Sequence, residues 1–217
     1  MLVKPMLALA VLASCGSSPP TPVANTTSQP NPIALSVVFC EQEAWVGNDD
    51  FKTRSDMRFV GALYGLERAL DTLALPPGST IAVLGYSSGA GTVIARRPVL
   101  GFHGTALGAQ ASYKGRIATD LAKGVEAALA ELMPVPATRK LLVIVGDGGD
   151  NHAQSVGLLA DQAKRAAAAR VVIRAVTLRT TVSEPDDMVR TLVPDEKTAA
   201  TAAELERLVS AAANAPP

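Results

Sequence analysis

Aromatic side chains are scarce: one Trp, three Tyr and four Phe make up 4% of 217 residues. A core must therefore be built from Val, Leu, Ile and Ala, which favours helices packed on an aliphatic sheet. Net charge is missing as well, because twenty Lys and Arg balance twenty Asp and Glu. The sequence-independent attraction to phosphate that carries most nucleic-acid binders then has no source, which argues against a general nucleic-acid function. Two Cys and two His, none at metal-ligand spacing, give no zinc set. What remains, 48% hydrophobic and 18% charged residues, is ordinary globular composition for one domain.

Residues 1–14 have the pattern of a secretory signal peptide. Lys4 supplies the positive start, and the apolar run over 6–12 is too short for a permanent membrane span. The run closes on Leu12-Ala13-Ser14-Cys15 followed by Gly16, which resembles the lipobox of bacterial lipoproteins. The resemblance implies a lipid-modified Cys15, whose thiol accepts the diacylglyceryl group and whose acyl chains anchor the chain to a membrane. Gly16, rather than Asp, resembles lipoproteins sent on to the outer membrane. The alternative is ordinary cleavage with Cys15 incidental. With Cys15 lipidated, Cys40 is the one thiol left and no intramolecular disulfide can form. Residues 15–32, rich in Pro, Ser and Thr, cannot bury a core and form an extended tether.

From Ile33 the chain alternates strand and helix. Residues 34–39 are nearly all apolar, as in a strand covered on both faces. Phe59, Val60, Leu63, Leu66, Leu70 and Leu73 then recur at helical spacing, with Ser55 as a cap and Pro76-Pro77-Gly78 as a stop. Residues 80–84 predict a second strand and 92–99 a third, whose Pro98 places it at an edge. Leu121, Val125, Leu129 and Leu132 mark a helix, 141–145 the most apolar strand, 152–169 an Ala-rich helix, 171–176 a further strand, and Leu205, Leu208, Val209 and Ala212 a last helix. Such repetition predicts an α/β fold over residues 33–213: a doubly wound, mostly parallel sheet with helices on both faces and one antiparallel edge strand. In such sheets ligands bind outside the carboxyl ends of the strands, where the strand order reverses, which points to the residues after Phe39, Leu84 and Val145.

Two of those places share a pattern. Thr119-Asp120-Leu121 opens a helix, and 141–145 runs into Gly146-Asp147-Gly148-Gly149-Asp150-Asn151. Together with 70–84, a helix, Pro-Gly turn and strand, these segments resemble a von Willebrand factor A-type domain over nearly the whole of 33–213. The resemblance implies a three-layer sandwich with a metal-ion-dependent adhesion site on three loops, where hard oxygen ligands hold Mg²⁺ or Mn²⁺ and a partner's carboxylate completes the octahedron. Thr119 and Asp147 match its second and third elements. The first, Asp-x-Ser-x-Ser, is replaced by Cys40-Glu41-Gln42-Glu43-Ala44. Either Glu41 and Glu43, one residue out of register, or Asp49 and Asp50 rebuild the site, or it is degenerate and free of metal. After Leu178 the family's sixth strand is expected to be missing or minimal, since 194–201 is a poor strand.

Other constellations compete. Gly85-Tyr86-Ser87-Ser88-Gly89 matches the Gly-x-Ser-x-Gly turn of serine hydrolases, with Asp147 and His152 following in hydrolase order. Against it, β-branched Thr92-Val93-Ile94 follows instead of a helix, and Asp147 and His152 are too close in sequence for separate triad loops. His103 and His152 suit solvated or helix-start positions, Cys40 a small buried hydrophobe. Trp45 is either a contact anchor or a loop residue packed on the sheet rim. The favoured expectation is a lipid-anchored envelope protein, on the outer membrane, that binds a protein partner through a rim carrying Trp45, Ser87, Asp120 and Asp150. It involves no catalysis, small-molecule substrate or cofactor; the alternatives are a metal-dependent adhesion module and an envelope hydrolase.

Overall fold

The computed structural model describes residues 31–41, 59–110, 120–146, 155–178 and 187–214. Strand β1 (Ile33–Cys40) is buried along its whole length, as a continuous apolar run requires when both faces are covered. It lies in the middle of a six-stranded sheet of order β3-β2-β1-β4-β5-β6, formed with β2 (Thr80–Tyr86), β3 (Ala90–Pro98), β4 (Arg139–Gly146), β5 (Val171–Leu178) and β6 (Lys197–Ala199). All neighbours run parallel except β3, which returns antiparallel to β2. Pro98 sits in that edge strand, where its missing N–H costs no ladder bond. The order reverses at β1, between β2 and β4, so their carboxyl ends flank the switch point.

Helices cover both faces. On one, α3 (Leu121–Leu132) and α4 (Ser155–Ala168) pack together; on the other, α1 (Phe59–Asp71) packs against α6 (Ala202–Asn214). Leu121, Val125, Ala128, Leu129 and Leu132 form the buried stripe of α3 at the three- and four-residue spacing that puts them on one side. A polar lock fastens that helix to the sheet. Arg96 of β3 donates from Nε and Nη2 to Glu131 of α3 at 2.6 and 2.7 Å, and from Nη2 to Ser36 Oγ of β1 at 2.7 Å. Ser36 Oγ in turn donates to Glu131 Oε2 at 2.7 Å, so a hydroxyl on a fully buried strand is satisfied from both sides. Across the other layer, Arg68 of α1 pairs with Glu206 of α6 at 2.7 Å. Hydrogen bonds to Glu206 and Tyr64 raise the Arg68 pKa above its ordinary value.

Several boundaries differ from the sequence reading. A six-residue helix α2 (Thr105–Gln110), too short to show a period, follows the turn after β3. It is held to α1 by Gly104, whose N–H donates to Asp71 Oδ1 at 2.6 Å. The expected sixth strand is minimal: Lys197–Ala199 pairs with Val176–Leu178 of β5 after a short helix α5 (Asp187–Leu192). Strand β3 stops at Pro98, one residue before the predicted end. Ser55, the expected cap of α1, and the first turn predicted from His152 lie outside the described residues.

Candidate functional site

The carboxyl ends of β1, β2 and β4 meet at one rim. Register pairs Cys40 with Tyr86 and Phe39 with both Gly85 and Val145. Glu41 prolongs the ladder past the strand, its N–H donating to Tyr86 O at 2.7 Å. That bond turns the Glu41 side chain inward, leaving it 2% exposed. Its carboxylate lies on the backbone of Gly85, where a Cβ would come within 2.6 and 2.7 Å of the two oxygens. Gly85 leaves the space the carboxylate occupies, and a side chain there would displace it.

Behind Glu41 lies a fully buried Tyr86. Its ring fills space left by Gly124 of α3 and Gly146 of β4: a Cβ at Gly124 would sit 2.8 Å from Tyr86 Cγ, and one at Gly146 2.5 Å from Tyr86 Oη. Cys40 Cβ is on the same side, 3.4 Å from the Gly146 Cβ position. Cys40 is a thiol with no exposed surface, the small buried hydrophobe the sequence suggests. The family resemblance puts an aspartate there, and a buried thiol is a poor ligand for a hard cation.

The start of α3 forms the other wall. Asp120, 5% exposed, caps the helix: its Oδ1 accepts the Lys123 N–H at 3.0 Å, and its Oδ2 pairs with Lys123 Nζ at 2.8 Å. Its own N–H donates to Ser87 O at 2.8 Å, tying the helix to the β2–β3 connection. Ser87 is 3% exposed and lies in a three-residue hairpin closed by its N–H to Gly89 O at 2.7 Å. A nucleophile elbow needs a strand-to-helix turn that exposes the hydroxyl. Here strand leads to antiparallel strand and the serine is covered, so Gly85–Gly89 does not form that device.

Among the described residues, no group of three His, Cys, Asp or Glu side chains is placed to hold a metal ion. Glu41 is the one oxygen donor of the notional first loop that is described, and it is packed inward on Gly85. Cys40 is a buried thiol, a poor ligand for a hard cation, and Asp120 is engaged as a cap. Thr119, Glu43, Trp45, Asp49, Asp50, Asp147, Asp150 and His152 lie outside the described residues, as does Cys15. His103 is exposed, beyond the opposite end of β3. Tyr86 was not singled out from sequence; the signal was its place at a strand end followed, elsewhere in the chain, by two glycines at matching helix and strand positions.

A six-stranded sheet with one antiparallel edge, wrapped by helices and reversing order at β1, defines a three-layer α/β sandwich. The solved structures it resembles make this the von Willebrand factor type A fold. The vWF domain of the type V pili tip protein Mfa5 from Porphyromonas gingivalis superposes with a TM-score of 0.64 at 10% identity, over 82% of this chain and 94% of that one. Proximal thread matrix protein 1 from the mussel byssus, in a structure with a zinc-occupied MIDAS motif, gives 0.63 at 15% identity, over 84% of this chain and 45% of that one. A von Willebrand factor type A structure from Catenulispora acidiphila gives 0.59 at 16% identity, over 84% and 43%. The chain thus spans about half the length of the mussel protein. No family model and no curated protein sequence matches the chain.

Proposed function

We propose that the protein is a lipid-anchored binding module of the bacterial cell envelope, which engages a protein partner through the rim at the carboxyl ends of β1, β2 and β4 and does so without a divalent metal. The observation that carries this reading is the Cys40–Glu41 corner. The thiol is fully buried and the following carboxylate is folded onto Gly85, so the position where the family has its first aspartate holds a buried thiol, and the next carboxylate in the chain, Glu41, is turned inward. The fold supports the binding role: Mfa5, with the same architecture, is a pilus tip protein. Anchoring through Cys15, the 15–32 tether and the outer-membrane address rest on the sequence pattern. Among the described residues no helix is long and apolar enough to cross a membrane.

The test is capture of envelope proteins by the full chain, with chelator and with Mg²⁺ or Mn²⁺, comparing the natural sequence with Thr119→Ala and Asp147→Ala. The proposal expects one partner, retained in chelator and retained by both variants. Binding that disappears in chelator, or with either variant, would establish the metal-dependent alternative. The anchor has a separate readout: blocking lipoprotein signal processing should leave a larger precursor, and an unchanged mature size would remove Cys15 from the account.

A further inference from the structure

The other end of the sheet, where β1, β4 and β5 begin, holds a cavity of about 380 Å³. Its wall includes Ile33, Arg139 and Lys140 at the start of β4, and Arg170, Val172 and Arg174 around the start of β5. Four cationic residues therefore line one hollow, and no carboxylate is among the described residues that line it. In a chain of zero formal charge, this is a local concentration of one sign. Burial and the neighbouring Arg139 both push the Arg174 guanidinium below its ordinary pKa. A bound anion would relieve both effects by pairing with the crowded cations. Arg170 is held at a φ of 55°, a conformation that an L-residue with a long side chain rarely adopts.

Two further features mark the same end. The segment that precedes the fold joins it here: Ile33 N–H donates to Ser79 Oγ at 2.9 Å, and a Cβ at Gly78 would meet the Pro32 ring at 3.4 Å. Leu100, 95% exposed, projects from the turn after β3, which ends beside the start of β2. A domain lipidated at Cys15 would be tethered at this end. The tether of residues 15–32, at about 3 Å per extended residue, keeps the hollow within roughly 55 Å of its anchor.

We infer that this end is a membrane-facing surface whose basic cavity receives the phosphate of anionic phospholipid headgroups, with Leu100 as an apolar contact at its flank. The inference rests on the lipid anchor proposed above. Juxtamembrane cations act additively at an anionic surface, and a short tether supplies the effective concentration that individually weak contacts need. The docked domain would hold its opposite rim, with Glu41 and Asp120, away from the bilayer and open to a partner.

Lys140 Nζ and Arg174 Nη1 also donate to the backbone carbonyls of Met133 and Ala212, at 2.5 and 2.6 Å, so the test uses Arg139 and Arg170. The full chain carrying Cys15→Ser, which cannot be lipidated, is sedimented with vesicles of phosphatidylcholine alone and with vesicles containing phosphatidylglycerol. Binding is expected only to the second, falling about fivefold for each arginine removed in Arg139→Gln and Arg170→Asn. The charge-conserving pair Arg139→Lys and Arg170→Lys should keep it, with unfolding temperatures showing that every variant is folded. Equal binding by the neutral variants, or no binding to phosphatidylglycerol vesicles, would overturn the inference. Release by inorganic phosphate at constant ionic strength would also overturn it, by marking a free-phosphate site. The mass of Cys15 in the native chain separates the two proposals: an unmodified Cys15 with headgroup-dependent binding intact removes the anchor and leaves the basic site standing.

Discussion

Cys40 and Glu41 show how much one residue of register decides at a rim. The strand alternation that buries Phe39 and Cys40 could be read from the apolar run, but not the direction of Glu41, which follows from its N–H bonding Tyr86 O and from the space above Gly85. A carboxylate in an acidic stretch reads as exposed until its neighbour is known to lack a side chain. Restoring the family's aspartate by Cys40→Asp would bury a second carboxylate beside Glu41. We expect it to cost about 3 kcal/mol or more in urea unfolding with chelator present, whereas Cys40→Ala should cost about 1 kcal/mol. Asp120, expected on the partner-binding rim, also stands just before an apolar helical stripe, the place of a cap, and caps α3. Asp120→Ala should cost about 1 kcal/mol through loss of the Lys123 N–H bond, and Asp120→Asn, which can still cap, a few tenths. The exposed Lys123 end of the ion pair adds little.

Among the elements, long helices with a clear 3.6-residue stripe were legible and short ones were not. Helices α1, α3 and α6 declare themselves by spaced Leu and Val, whereas α2 has six residues and its position depends on the Gly104–Asp71 bond and on packing against α1. Strand β6 is legible only as a remnant, because three residues give no alternation to detect. Close contacts between elements were likewise hidden. At Gly65 of α1 a Cβ would lie 2.7 Å from the Ala202 carbonyl oxygen of α6. Gly65→Ala gains about 1 kcal/mol of helix propensity but overpacks against backbone that cannot give way at a cost of up to about 3 kcal/mol, so a net loss in thermal unfolding is expected. The Arg96–Glu131–Ser36 lock is partly shielded, with side-chain exposures of 17% and 22% for the ion pair. Glu131→Gln should cost about 2 kcal/mol, because it strips the charge from Arg96's bidentate partner while keeping its shape.

For the molecule as a whole, alternation of buried strands with amphipathic helices sufficed to predict the architecture, since right-handed crossovers and an apolar central strand leave few arrangements. The comparison with solved structures agrees at the level of fold, at identities of 10 to 16%. Function is less legible because it depends on loops, and loop chemistry has no period. The two proposals assign a role to each end of the sheet: a basic end where Ile33 begins the fold, and a rim opposite, where the described residues include a buried Cys40 and an inward Glu41 carboxylate. Fold alone does not choose between an adhesion module and an adaptor; the adaptor reading proposed above draws its support from the Cys40–Glu41 corner.

Thermal unfolding of the full chain in excess Mg²⁺ or Mn²⁺ and in EDTA, for the natural sequence and Asp147→Ala, tests this most directly. A cation at a hundred times its dissociation constant adds about 2.7 kcal/mol, on the order of 5 to 10 °C for a domain of this size. The account predicts superimposable transitions in metal and in chelator for both proteins. A rise of that size in the natural sequence, absent from Asp147→Ala, would contradict it and show that a cation site has been rebuilt at the rim.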